Sequence, residues 1–492
     1  MTHRNFSYFE LAIRKHFTSS TVFVVAITLW LVVASHRASA TDASAKSRLH
    51  SCTFSDAEFD PATDVHAFEE YEDAIAQLLK ERKFAELDCL ADQAWVEKSR
   101  FSGGTWKLAE IYTALEEPRP GHPTEPDWRQ HLRLLEQWKN LRPRSITARV
   151  ALAESYVSYG WDARGTGYSD SVSDSGWKLM AQRVQNAKGI LDQASRLGAK
   201  CPEWYIAMLD VAQGQNWPLD QITAVFEQGV KVEPEFQHLY RVYAVHLLPK
   251  WSGQEGDAAR FAEEAANKIG GDDGDILYYQ IASKAVCGCH DRDSTYFSWP
   301  RVLKGYAALE KKYGLSLLEL NHFAALATDF NDWIAAKAAF DRIGDNWAKE
   351  VWGDEQSFKS SQAMAPQYAA VQSAFFDAKK GAEANMQAPE WEAYRKGFED
   401  KLAALEQSCK DAAKSDDEAA NDSTPFDLVI RIGKEGSIEQ LRGLNPPPSA
   451  QCLTKALYEA YSKREGLFPA PPKAPYWVVA HVDPSRVNTA TK

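Results

Sequence analysis

Lysine and arginine never gather into a basic block in this chain, and its formal charge is −12. Without a cationic stripe to track phosphates, a nucleic-acid partner is excluded. Nucleophile signatures are also missing. His290-Asp291-Arg292-Asp293 places histidine beside carboxylates, but no Ser or Cys motif accompanies it, so acid–base catalysis is not expected there. Cysteine is sparse, at seven in 492 residues. Cys287-Gly-Cys289-His290 lacks the second cluster that a zinc site needs and is one residue short of a haem-attachment motif, so it reads as a disulfide or loose thiols in a loop. Gly270-Gly-Asp-Asp-Gly-Asp275 offers too few spaced oxygens for calcium and reads as a turn with Asp275 capping the next helix. No metal, cofactor or reaction is therefore expected.

Long apolar runs are missing too, with one partial exception. Val22–Ala34 is apolar for 13 residues, short of the roughly 20 that cross a bilayer. Arg4, Arg14 and Lys15 precede it and Ala38-Ser39-Ala40 follows, the layout of a secretory signal. The expectation is a signal over 1–40, cleaved to leave a periplasmic chain, with an uncleaved inner-membrane anchor as the alternative. Membrane contact is expected only in the second case. Removing that segment shifts the charge from −12 to −15, because it holds four Lys or Arg and one Glu. Export permits disulfides. Cys52 and Cys89 flank the first helix, and Cys409 and Cys452 flank the first strands of the last domain; these spacings suggest two pairings, while sequence leaves connectivity open.

What the chain does have, after a linker over 41–62, is helical periodicity. In VHAFEEYEDAIAQLLKERK the apolar positions Val65, Phe68, Tyr71, Ile75, Leu78 and Leu79 recur three or four apart. The same alternation of amphipathic runs and Pro/Gly turns continues to Asp411, with spans such as 146–159, 202–213, 257–269, 333–343, 368–382 and 390–411. Such a series predicts stacked helix pairs, an irregular α-solenoid over 63–411. EPEFQHLYRVYAVHLLPKW (Glu233–Trp251) and NDWIAAKAAFDRIGDNW (Asn331–Trp347) resemble tetratricopeptide-like pairs, in which a small residue faces an aromatic, though no strict 34-residue period appears.

Four motifs in order carry a second resemblance: WDARGTGYSDSVSDSGW (Trp161–Trp177), CPEWYIAMLDVAQGQNW (Cys201–Trp217), EPEF and LLPKWSGQEGD (Leu247–Asp257). They are similar to the hallmarks of an uncharacterised bacterial family with a helical-repeat fold, over about 62–353, which implies a fold and no activity. From the residues themselves, the aromatics there fill gaps between helix layers. The sharper alternative is a groove lined by Arg164, Tyr168, Lys250 and Trp251 that holds a peptide or polar ligand. Arg164 has a further use, bridging carbonyls at helix ends or pairing with Asp162.

An acidic, aperiodic linker (412–424) separates the helices from a tail with period two. Phe426–Ile432 and Ser437–Leu441 alternate about a Gly433–Gly436 turn, a helix follows at 449–462, and Tyr476–Val482 is a last strand. FDLVIRIGKEGSIEQL, Cys452-Leu-x-x-Ala-Leu457 and FPAPP before YWVVAHV resemble the C-terminal domain of TonB-type energy transducers, over 425–483. That resemblance implies a small α+β domain of ββαβ order whose exposed strand edge, here Tyr476, Trp477 and Val478, takes up an extended partner segment. The chain lacks the transducers' long Pro-rich spacer.

The expectation is thus a non-enzymatic periplasmic scaffold that grips an envelope protein or peptide through a helical face and a sheet edge. Alternatives are a ligand-binding module or enzyme near Arg164–Trp251, and a membrane-anchored partial transducer. Oligomeric state is left open.

Overall fold

The computed structural model describes residues 52–286, 296–413, 425–444 and 450–482, apart from positions 120, 122, 168 and 199. The signal over 1–40, Tyr168, the Cys287–Asp293 cluster and most of the acidic linker lie outside the described residues. The chain is mainly helical, with 18 helices and one small antiparallel sheet among the described residues. Helices α1 to α7 are Ala67–Lys80, Phe84–Glu97, Lys107–Glu116, Glu125–Leu141, Thr147–Arg164, Asp174–Ala194 and Pro202–Gly214. Helices α8 to α14 are Leu219–Val232, Gln237–His246, Asp257–Ile269, Gly271–Ala285, Trp299–Tyr313, Leu317–Asp329 and Trp333–Ile343. The short α15 (Lys349–Trp352) leads to α16 (Glu355–Met386) and α17 (Pro389–Ala413). The tail holds β1 (Phe426–Ile432), β2 (Ile438–Gly443), α18 (Gln451–Lys463) and β3 (Tyr476–Val482).

The helices sort into two layers by how many of their faces are apolar. Ten of the thirteen residues of α7 are buried, whereas α8 buries three of fourteen. A helix apolar all round belongs inside, and an amphipathic one covers it. Accordingly α1, α3, α5, α7, α9, α11 and α13 each pack on the next as an inner layer, while α2, α4, α6, α8, α10, α12 and α14 pack outside. Close approach is bought by small residues: a Cβ on Gly305 of α12 would lie 2.0 Å from the Asp275 carbonyl of α11. Asp275 itself sits within α11 and pairs with Arg301 at 3.1 Å, so it does not cap that helix. The helix starts four residues earlier, because Gly270 and Gly271 supply the positive φ of the turn.

The array curls back on itself. The Gly103 amide donates to the Gly314 carbonyl at 3.2 Å, and the Leu317 amide donates to the Pro61 carbonyl at 2.7 Å. Lys98 reaches Glu233 and Glu235 at 2.9 and 2.8 Å, and Gln237 Oε1 accepts from Arg100 and from Trp106, both at 2.8 Å. Gly103, at φ +85°, allows the turn that makes this closure. The inner helices therefore surround a common centre.

In the tail, sheet order is β2-β1-β3, with both pairings antiparallel. Alternation gives each face its own cover. Phe426, Leu428, Ile430, Tyr476, Val478 and Ala480 pack with Trp391, Tyr394, Phe398 and Leu402 of α17 and with Leu453 and Leu457 of α18. Val429 and Val479 pack on Phe375 and Ala382 of α16. The core of the tail thus begins upstream of residue 411, and α16, whose Phe358 and Ala365 belong to the main core, spans both. Cys409 and Cys452 are bonded, as are Cys52 and Cys89, with Cα atoms 5.7 and 5.8 Å apart. Cys201 is a buried free thiol. Among the described residues no helix is long and apolar enough to cross a membrane.

Candidate functional site

The C-terminal ends of α3, α5, α7 and α9 converge on a cavity of about 1250 Å³. Five tryptophans line it: Trp128, Trp161, Trp177, Trp217 and Trp251. Between them lie Glu117, Ser158, Asp162, Arg164, Gln213, Asn216, His246 and Lys250. Arg164, Lys250 and Trp251, read as a groove from the sequence, thus share one cavity. The geometry divides their roles. The Arg164 guanidinium lies 5.5 Å from the Trp161 ring centre and 5.2 Å from that of Trp177, and Nη1 donates to the carbonyls of Gly165 and Gly167 at 3.0 and 2.9 Å. It is a clamp for the loop after α5, the carbonyl-bridging role among those expected. Lys250 is exposed and has no ion-pair partner among the described residues. Trp251 meets Trp161 edge to face at 6.0 Å.

Two of the indoles, Trp177 and Trp251, remain 39% and 40% exposed. Others form the floor: Trp128 is buried and stacks on Tyr159 at 4.9 Å. Two buried polar atoms of lining residues, Trp128 Nε1 and His246 Nε2, have no hydrogen-bond partner among the described residues. Burial holds the His246 imidazole neutral, its pKa lowered to about 4. Burial raises the pKa of Glu117, and the nearby Asp162 carboxylate raises it further against Arg119.

Beneath this cavity the inner helices bring carboxyl groups together. Glu116 accepts a hydrogen bond from Ser158, and burial, with Glu117 and Glu203 nearby, raises its pKa to about 7. Asp210 is raised to about 8 by burial, then by Glu116 and Glu203, against Lys284. Burial, then Glu203, pushes the Glu154 pKa well above the usual carboxylate range. Nearer the opposite ends of the inner helices, a polar cavity of about 180 Å³ is lined by Glu110, Thr113, His238, Arg241 and Gln280. Burial followed by Glu72 raises the pKa of Glu110. Such a space suits a few ordered waters, at about 30 Å³ each. Among the described residues no group of three His, Cys, Asp or Glu could hold a metal ion.

Sequence reasoning missed these carboxyls. A signal existed: Glu154 in TARVALAESYVSYG and Glu203 and Asp210 in PEWYIAMLDVAQG interrupt helices that are otherwise mostly apolar or small.

The β3 edge is not bare as expected. Asn385 Nδ2 donates to the Trp477 carbonyl at 3.3 Å, the Val479 amide faces Met386 Sδ at 3.2 Å, and the Tyr476 hydroxyl donates to the Asn385 carbonyl at 2.8 Å. The end of α16 occupies the backbone positions that an added strand would use. Replacing Asn385 and Met386 with alanine is expected to cost about 1 kcal/mol per lost hydrogen bond and to speed amide exchange at Val479; unchanged exchange would show that α16 does not guard this edge.

Comparison with described protein families, with characterised proteins and with solved structures gives no match.

Proposed function

We propose that this chain is exported to the periplasm and acts there as a non-enzymatic binding protein, holding a polar ligand with apolar faces in the Trp-lined cavity. The observation that carries this reading is the convergence of the exposed indoles Trp177 and Trp251 with the exposed polar side chains of Asp162, Asn216 and Lys250 in one concave site. Binding sites are concave and mostly apolar with a few placed polar groups, and exposed aromatic surface in a hollow marks interaction. Two disulfides fit an oxidising compartment. The ββαβ order supports the TonB-like reading of the tail. With its β3 edge covered, the tail serves as a cap on the helical body, not as a strand acceptor.

Native mass spectrometry of the full mature chain, isolated gently from the periplasmic fraction, tests this. A bound non-protein mass is expected in the wild type and lost in Trp177→Ala/Trp251→Ala, with the melting temperature kept because both side chains are partly exposed. A wild type without retained mass, in which envelope extract also leaves Trp177 and Trp251 equally open to chemical modification, would sink the reading.

One observation favours a second reading, an acid–base enzyme at the same cavity: Glu117 and Asp162 both line it and interact electrostatically. Two carboxyl side chains at one site are the arrangement used in glycosidic-bond cleavage. Turnover of a bound ligand that Glu117→Gln abolishes without weakening binding would replace the first reading with the second.

A further inference from the structure

We infer that the ligand of the Trp-lined cavity is a neutral oligosaccharide, stacked by its ring faces on Trp177 and Trp251 and hydrogen-bonded through its hydroxyls to Asp162, Asn216 and Lys250. This rests on the cavity being the binding site, and narrows what it binds.

Charge argues first. Glu117 and Asp162 line the same cavity as the cationic side chains of Arg164 and Lys250, but Arg164 is already engaged by two indoles and two carbonyls. The cation left for an anionic ligand is Lys250, opposed by two carboxyl groups. Four inner-helix C-termini also end at this cavity. Helix C-termini present unpaired carbonyl acceptors and the negative end of the dipole, which repel anions and accept from hydroxyl donors. A ligand rich in O–H groups and free of negative charge matches that lining.

Shape and surface argue next. Small quaternary cations also favour aromatic cages, yet a space of about 1250 Å³ is far larger than such a headgroup, and Arg164 and Lys250 stand at the same walls. An extended peptide would look for a ladder of unpaired backbone donors and acceptors, as at a sheet edge. The lining residues come from helices and the turns between them, with no strand among the described ones, so they offer no ladder of this kind. A sugar ring presents what remains: a flat C–H face for an indole and a rim of hydroxyls for polar neighbours, in the way amphipathic aromatics are used at wet interfaces.

The test applies the full mature chain to a printed glycan array and a peptide array, followed by titration of intrinsic tryptophan fluorescence with each hit. Neutral oligosaccharides are expected to bind saturably. Trp177→Ala and Trp251→Ala should each weaken them about tenfold, Trp251→Phe should restore most of the affinity, and raising salt from roughly 0.05 to 0.5 M should change little, because neutral contacts are not screened. Binding of peptides alone, or of acidic glycans alone with steep salt dependence, overturns the sugar assignment and leaves the cavity reading intact. No binder on either array, with Trp177 and Trp251 fluorescence unmoved by envelope extract, removes both.

Discussion

Replacing Cys409 and Cys452 with serine is expected to destabilise the C-terminal unit by about 4 kcal/mol, from the chain entropy released on opening the loop. The bond joins α17 to α18 across 43 residues that include β1 and β2. Without it, the sheet still has α16 and α17 on its two faces, so the tail should fold but open more readily than the ring. Urea unfolding followed by hydrogen exchange should show β1, β3 and α18 losing protection before α5 and α7. Coincident loss of protection everywhere, or a change below about 1 kcal/mol, would show that packing alone holds the tail and that the tether contributes little.

Raising the pH from 6.5 to 8.5 should lower the stability of the helical ring. Glu116 and Asp210 have folded pKa values raised to about 7 and about 8, above those of unfolded carboxyls. A carboxyl of this kind binds its proton more tightly when folded, so its stabilisation is present at low pH and is lost as pH rises through the folded values. Buried His131 and His246 act oppositely: with pKa values lowered to about 4, they cost stability only as pH falls below about 6.5, where the unfolded imidazole takes up a proton. Between pH 6.5 and 8.5 the carboxyl effect therefore stands apart from these histidines. It amounts to on the order of 2 kcal/mol, or several degrees in Tm. Asp210→Asn should flatten the slope. A Tm that rises over this interval would mean that the central carboxyls are ionised and paired in the folded chain.

Both expectations trace to features of different legibility. The 3.6 period predicted α10 and α14 to the residue, because each has one apolar stripe and clear punctuation at both ends. The paired cysteines were visible because each sits beside a predicted element that its partner also borders. The reading failed where local rules were overridden. Helix α16 runs through Pro366 for 32 residues, whereas Pro and Gly punctuation suggested a shorter element. The edge of β3 looked open because period-two alternation describes the faces of a strand and says nothing of its sides.

From the sequence alone came the helical body, the alternating tail, two suggested cysteine pairings and three residues of the cavity, since each depends on spacing along the chain or on residue type; the bonds themselves were decided by the fold. The tertiary structure decided that the helix stack closes into a ring, that Glu110, Glu116, Glu154, Glu203 and Asp210 share its interior, and that α16 lies over the β3 edge. Those outcomes depend on contacts between residues far apart in the chain, Gly103 with Gly314 and Asn385 with Trp477 among them. Such contacts form only after the curvature of many helix pairs has accumulated, and no short stretch of residues encodes that sum.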